Sequence, residues 1–228
     1  MRRFGMRILA LFLILFSIAC LTGAGTAEDA LSGTEESGRY DRLAASVVRL
    51  EVYNKYGERI GTGSGFAAFE PAVLVTAAHV IVNMDYMIAT KDDGTTFRIE
   101  KAFEADTDSD IALCNLPEDA GIVPLQPAGR EPARGDAAIA ISSQFGLINL
   151  VTMGNVCGRW DAGGVRWILF TAPVSGGSSG GPVMNDSGEV IGIITGTYDK
   201  GQNLNLAAPA EVAAALYRVD INQGGKEQ

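Results

Sequence analysis

Histidine occurs once in 228 residues and cysteine three times, with no pair at CxxC spacing. A zinc centre therefore has almost no ligands to draw on, and no metal or cofactor is expected. Basic residues are outnumbered, 18 against 27 acidic. Three of them, Arg2, Arg3 and Arg7, lie in the first 27 residues, which hold no acid, so the remainder carries 15 against 27, net −12. Such a surface repels phosphate backbones and argues against nucleic-acid binding. Long apolar runs are missing as well: the stretch Ile8 to Ala19 is about a dozen residues, short for a bilayer span, so an uncleaved membrane anchor is the lesser reading beside a cleaved leader. No repeat of fixed period is present, and only residues 209–218 read as a helix, with Pro209 in the first turn and an Ala-rich remainder.

What is there begins with a leader. The basic residues, the apolar run and the small-residue stretch Thr22-Gly-Ala-Gly-Thr-Ala27 read as a secretory signal peptide over 1–27. Cys20 is an alternative site, lipidated after cleavage before it, although Ser17 stands where a lipoprotein signal usually has Leu. Contact with a membrane is expected only through this segment or that lipid. Residues 28–41 are polar and acidic at first and read as a flexible lead-in.

The whole chain is 47% hydrophobic, ample for one domain with a sizeable core. From Ser46 the chain is a succession of short β-like runs. They are 46–53, 59–69, 72–76, 96–103 and 110–116, then 136–141, 151–157, 165–171, 183–184, 189–195 and 203–208. A Pro/Gly-rich connector, 117–135, separates the two groups. The expectation is an all-β fold of two six-stranded antiparallel barrels, the first over about 42–117 and the second over about 135–208. A short C-terminal helix (209–218) and a frayed tail (220–228) complete a domain spanning 42–219. Cys114 and Cys157 sit in apolar runs and read as buried free thiols.

Chemistry concentrates in three places. Ser175-Gly-Gly-Ser-Ser-Gly-Gly-Pro182 has the composition of a flexible loop. Equally, it is a backbone shaped to aim a serine hydroxyl outward while N–H groups converge on one point, which acyl transfer requires. His79 lies among apolar residues, where a lone histidine is commonly a core residue, yet the small residues before it leave its ring room to stand clear. Asp110 opens the apolar run Ile111-Ala-Leu113, where a partly desolvated carboxylate can orient an imidazole. Asp106, Asp108 and Asp110 have the spacing of a calcium loop, but Ile111 replaces its glycine and Pro117 its glutamate. Asp106 and Asp108 are therefore read as solvated turn residues.

Taken together, Thr76-Ala-Ala-His-Val80, Ser109-Asp-Ile-Ala-Leu113 and Gly177-Ser-Ser-Gly-Gly-Pro182 occur in the order His, Asp, Ser. This resembles the chymotrypsin-like serine proteases, in particular the bacterial trypsin-like branch near the HtrA/Deg proteases. Gly61-Thr-Gly-Ser-Gly-Phe66, Phe145-Gly-Leu147, Val151-Thr-Met-Gly154 and Gly188-Glu-Val-Ile-Gly192 extend the resemblance over about 42–215. It implies Ser179 as nucleophile, His79 as general base and then acid, and Asp110 as the group fixing the imidazole tautomer. The N–H groups of Gly177 and Ser179 would form the oxyanion hole, and Ser178 would face inward. Pro173, Val174, Thr195, Gly196 and Thr197 would bind substrate, the Thr195–Thr197 edge pairing with its backbone.

The chain also departs from its relatives. Ser178 stands where pancreatic-type enzymes carry the Asp of their zymogen switch. HtrA proteins add a PDZ domain, which these 228 residues are not expected to hold, and Ser142-Ser-Gln144 replaces the Gly-Asn-Pro usual in the HtrA group. The loop Tyr53–Arg59 is too short to carry over that group's trimeric assembly, so no oligomeric state is assigned. Neither Pro173 nor Val174 is charged, which points to small or medium apolar P1 residues. The expected function is an exported serine endopeptidase acting on protein or peptide substrates. The competing reading is a catalytically silent relative that binds peptides or unfolded proteins in the inter-barrel cleft.

Overall fold

Alternation along β1 (Val47–Tyr53) sets the first sheet. Val48, Leu50 and Val52 are buried while Arg49, Glu51 and Tyr53 keep partial exposure, the period-two pattern of a strand with one face on a core. The computed structural model describes residues 38–198 and 203–224. Within it, Asp41–Gln228 is one unit. The expected signal peptide, residues 28–37 of the lead-in and residues 225–228 of the tail lie outside the described residues.

β1 pairs antiparallel with β2 (Arg59–Ala67) and β4 (Tyr86–Thr90), and β4 with β5 (Thr96–Ile99). On the other side β2 pairs with β3 (Val73–Thr76), β3 with β7 (Ile111–Asn115), and β7 with β6 (Ala102–Asp106). The resulting order is β5-β4-β1-β2-β3-β7-β6. Its two edge strands are consecutive in the chain, with only Glu100 and Lys101 between them, so the edges approach within about 11 Å. The sheet thus curls around Leu50, Leu74, Met87, Ile99 and Cys114 but stays open, since β5 and β6 do not pair, a half-barrel rather than the closed barrel expected. The stretch 96–103, expected as one strand, is broken at Glu100-Lys101, where the chain leaves β4 and takes up β7 as its partner. That break, together with β4, which no expected run covers, makes seven strands where five runs and a six-stranded barrel were expected.

The second sheet closes fully, in the order β10-β13-β12-β11-β8-β9. Its strands are β8 (Ala137–Ser142), β9 (Leu150–Ala162), β10 (Val165–Phe170), β11 (Pro182–Met184), β12 (Val190–Thr197) and β13 (Asn205–Pro209). Ala138, Ala140, Val156, Ile168, Phe170, Val183 and Ile194 fill it. The small alanines of β8 let that strand be buried almost throughout.

Two devices hold the sheets together. Asn149 is buried with a left-handed backbone (φ 48), and its amide donates to the carbonyls of Ala44 (2.9 Å) and Val47 (2.8 Å) at the entrance to β1. The C-terminal helix, Ala210–Gly224, packs against β6 and β7 of the first sheet and β12 and β13 of the second. Ala210, Ala213 and Ala214 are buried, and Tyr217 stacks on Phe69 at 5.0 Å, the i, i+3, i+4, i+7 stripe of a helix lying on a core.

Three expectations need correction. The helix continues to Gly224, so residues 220–224 are helical rather than frayed. The lead-in is helical from residue 38, over 38–44. Cys157 is exposed, because alternation along β9 turns Val156 into the core and its neighbour outward. Cys114 is buried, and desolvation pushes its thiol pKa to about 12. Both cysteines are free. No helix among the described residues is long and apolar enough to cross a membrane.

Replacing Asn149 by Ala strips two buried carbonyls of their donor. A loss of about 2 kcal/mol in unfolding free energy is expected, measured by urea denaturation. A change within about 0.5 kcal/mol would mean that the contact is dispensable.

Candidate active site

The pairing of β3 with β7 brings His79 and Asp110 together. Thr76, the last residue of β3, lies opposite Ala112, and each candidate sits just outside that paired segment. After β3 the chain makes a 3₁₀ turn, Ala78–Ile81, which lifts His79 off the sheet. Asp110 precedes β7 in a left-handed conformation (φ 56), and its carbonyl accepts from the N–H of Ala78 (3.1 Å). The turn before it is tied down by Asp106, which accepts from the Ser109 hydroxyl (2.7 Å) and the Asp108 N–H (2.9 Å). The Ser109 hydroxyl, more than any other partner, holds the Asp106 carboxyl below the usual range.

Asp110 grips His79 twice. Its Oδ1 accepts from the His79 backbone N–H and its Oδ2 from Nδ1, both at 2.8 Å. The bond to Nδ1 places the proton there and leaves Nε2 as the basic nitrogen. The carboxylate side chain is only 13% exposed, the imidazole 49%. Asp110 raises the imidazole pKa above 6.5, chiefly through the hydrogen bond and further through its charge, while partial burial works against it. Since the folded-state pKa is the higher one, the pair's stabilisation is fully present below about pH 6.5. It is lost as pH rises through the raised value.

The Ser175–Gly181 segment connects β10 to β11. Ser178 is buried, its Oγ accepting from the Ser175 N–H and the Ser142 hydroxyl, both at 3.1 Å. Ser179 is half-buried, and its hydroxyl donates to the Thr195 carbonyl (3.4 Å). No hydrogen bond joins Ser179 to His79 among the described residues. Gly180 nonetheless sets the turn after Ser179 against the strand that leads to His79. Its φ is +86, and a Cβ there would stand 2.2 Å from Thr76 Oγ1 and 2.2 Å from the Ser64 carbonyl. The strand that leads to His79 is therefore in direct contact with the residue after Ser179.

The peptide groups of this segment can be followed one by one. The Gly176 carbonyl accepts from the Phe145 N–H (3.0 Å), that of Gly177 from the Ser64 hydroxyl (2.8 Å), and that of Ser178 from the Gly181 N–H (3.0 Å). The Ser178 N–H donates to the Ser175 carbonyl (2.9 Å). The N–H groups of Gly177 and Ser179 have no acceptor among the described residues. Two unpaired donors thus lie near the Ser179 hydroxyl, one on either side of the peptide whose carbonyl Ser64 holds. Such a pair can stabilise negative charge developing on an oxygen.

Two adjoining hollows lie alongside. One of about 220 Å³ is lined by Val174, Ser175, Gly176, Ser179, Gly196 and Thr197 among others. The other, about 430 Å³, is bordered by Pro173, Val174, Thr197, Tyr198, Asn203 and Asn205 among others. Of the residues expected to meet substrate, Pro173, Val174, Gly196 and Thr197 line these hollows. Thr195 does not; its carbonyl receives the Ser179 hydroxyl, and its own buried Oγ1 has no partner. β12 pairs with β13 through Thr197, whereas its pairing with β11 stops at Ile193, so one edge of Thr195–Thr197 has no strand beside it. Sequence reasoning missed Tyr198, Asn203 and Asn205, which reach the hollow only through the β12–β13 register. It also missed Arg49, which donates from β1 to the Gly146 carbonyl (3.1 Å) next to Phe145. No cluster of potential metal ligands exists among the described residues.

Comparison with known proteins gives the family. Residues 63–193 match the family described as trypsin-like peptidase domain. The chain is similar to serine protease HTRA1 of Xenopus laevis, 31% identical over 208 residues that cover 82% of this chain and 44% of that protein. Similarity to serine protease HTRA1A of Danio rerio is 33% over 187 residues, covering 75% of this chain and 38% of the relative. The chain thus spans less than half the length of these relatives. In fold it is similar to the serine endoprotease from Yersinia pestis, with a TM-score of 0.70, 24% identity, and 81% of this chain and 67% of that one covered.

Because His79 is the only histidine, its imidazole C2–H gives a single proton resonance whose titration reads this site alone. The midpoint is expected above 6.5 in the wild type. In Asp110→Asn it should fall, since the largest raising cause is lost and burial remains. An unchanged midpoint would refute the assignment of the shift to Asp110.

Proposed function

Since the chain belongs to the trypsin-like peptidase domain family, we propose that it is an exported serine endopeptidase working through Ser179, His79 and Asp110. The observation that carries this reading is the double grip of Asp110 on His79, set beside a serine flanked by two unpaired N–H groups. In the reaction, the Ser179 hydroxyl swings from the Thr195 carbonyl to His79 Nε2. Its Oγ bonds to the scissile carbonyl carbon while its proton passes to Nε2. The carbonyl π electrons move onto oxygen, and the resulting oxyanion takes the Gly177 and Ser179 N–H groups. Collapse re-forms the C=O and breaks the C–N bond, with the Nε2 proton leaving on the amine. Water then repeats the sequence on the acyl-enzyme and releases the acid. Asp110 keeps its negative charge throughout and stabilises the transient imidazolium. Protein groups and water suffice for every step.

The substrate chain would add as a strand along Thr195–Thr197, placing its P1 side chain in the hollow beside Val174. No described residue lining either hollow is charged. A Lys, Arg, Asp or Glu at P1 would be desolvated there without a counter-charge, which is costly. Small or medium apolar P1 residues fit best, in keeping with Val174, Gly196 and Thr197. Export rests on the leader read in residues 1–27.

Reaction of the mature protein with a fluorophosphonate tests the nucleophile. Wild type should be labelled and Ser179→Ala should not, with peptide turnover falling by about 10⁶ in the variant. A folded wild type that takes no label would overturn the peptidase reading in favour of a silent, peptide-binding cleft. A peptide-library profile dominated by charged P1 residues would refute the specificity alone.

A further inference from the structure

Ser64 lies in β2, on the first sheet, and is fully buried. Every polar group it owns is committed, and three of the four reach the second half of the molecule. Its N–H donates to the Ser179 carbonyl (2.8 Å), and its hydroxyl donates to the Gly177 carbonyl (2.8 Å) while accepting from the Ser143 N–H (2.8 Å). Its carbonyl receives the Thr76 hydroxyl (2.7 Å), which fixes Ser64 from behind. The direction of the hydroxyl proton is not free: the Ser143 N–H can only donate, and the Gly177 carbonyl can only accept.

We propose that Ser64 is a positioning residue for the oxyanion hole, acting through the Gly177–Ser178 peptide. The inference rests on the peptidase reading above. The Gly177 carbonyl belongs to the peptide lying between those that carry the two unpaired N–H groups. The peptides on either side are held by Phe145 and Gly181, both from the second half of the chain. Only the middle one is held from the first sheet, by one hydroxyl. Gly177 has φ +98, and a Cβ would stand 2.4 Å from the Ser143 carbonyl, so this backbone is already pressed against the segment that Ser64 also binds. Without the hydroxyl, the Gly177 carbonyl and the Ser143 N–H both lose a buried partner. Of this peptide's bonds only the local one from the Ser178 N–H to the Ser175 carbonyl (2.9 Å) then remains, and rotation toward another donor would carry the Gly177 and Ser179 N–H groups out of register with each other. The His79–Asp110 pair makes no contact with this hydroxyl and stays as it is.

The role separates from general packing by what it leaves unchanged. In the mature chain, Ser64→Ala should lower kcat by about 10- to 100-fold, part of the 10²–10³ that one oxyanion donor supplies. KM should stay within about threefold, because ground-state binding does not use the hole. A peptide aldehyde, which forms a tetrahedral adduct with the nucleophile, should weaken by the same factor as kcat. The His79 titration midpoint should not move. An unchanged kcat and aldehyde affinity would overturn the proposal, as would a loss carried wholly by KM. Should Ser64→Ala fail to fold by circular dichroism, Ser64→Cys fills the site and keeps a weak donor. A reduced kcat at constant KM then supports the role, and wild-type kcat overturns it. Wild-type turnover separates the two levels: a folded but inactive wild type removes both readings, whereas an active wild type matched by Ser64→Ala removes this one alone.

Discussion

The close approach of the 177–181 backbone to both sheets is the constraint on which the site depends. At Gly177 a side chain would run into Ser143 of the second sheet, and at Gly180 into Ser64 and Thr76 of the first. Two side-chain-free residues three apart, each with positive φ, let one short segment touch both halves. Ser179 lies between these contacts and has little freedom in where its hydroxyl begins. The repetition of glycine, which by composition resembles a flexible linker, here produces the reverse of flexibility. Small residues permit contact, and contact fixes the chain.

Electrostatics depends on the same geometry at one remove. Asp110 is more shielded than His79, so its charge is felt most strongly at the one group it faces. A carboxylate bonded to the ring and to the backbone of the same histidine restrains rotation as well as protonation. The imidazole keeps enough exposure to exchange its proton, and Nε2 stays available. Left-handed conformations at two non-glycine residues, Asp110 and Phe145, are part of this arrangement. Each costs of order 1 kcal/mol or more and persists because the surroundings over-determine it. One orients the base through its partner, and the other sets the N–H that restrains the Gly176 carbonyl.

Legibility in the sequence followed the range of the interaction. His79, Asp110 and the serine loop stand in short motifs whose chemistry is local, and the alternating runs announced an all-β fold. The inward turn of Ser178 was implied by the family resemblance, and its hydroxyl is indeed buried against Ser142 and the Ser175 N–H. The floor of the larger hollow was not legible. Tyr198, Asn203 and Asn205 meet Pro173 through strand register, and no local pattern encodes which residue of β13 lies opposite Thr197. Cys157 went astray because an apolar neighbourhood was read without its period, which turns every second residue outward. The strand break at Glu100-Lys101 changes a pairing partner while leaving the composition strand-like. Arg49 looked like an ordinary exposed position on an alternating strand, although it reaches the Gly146 carbonyl from 97 residues away in sequence.

The distribution of the site over two sheets has an energetic consequence. His79, Asp110 and Ser64 belong to the first sheet, Ser179 and the hollows to the second, and neither half holds the whole of the proposed set. Separation of the sheets by a small amount would leave both cores intact yet part the proposed base, His79, from the proposed nucleophile, Ser179. The joining contacts therefore need to be stiff rather than strong. Those observed are of that kind: two bonds from a buried amide at Asn149, one serine with all its polar groups engaged, and a helix laid across both sheets. Each contributes only a modest share of stability, of order 1 kcal/mol per net hydrogen bond. The bonds of Asn149 and Ser64 are also buried, directional and paired with backbone, which limits the displacements available to them. Catalytic geometry tolerates errors of about half an ångström. For a cleft formed where two independently packed sheets meet, directional buried bonds hold that tolerance better than additional apolar area would, since apolar contact is indifferent to small sliding.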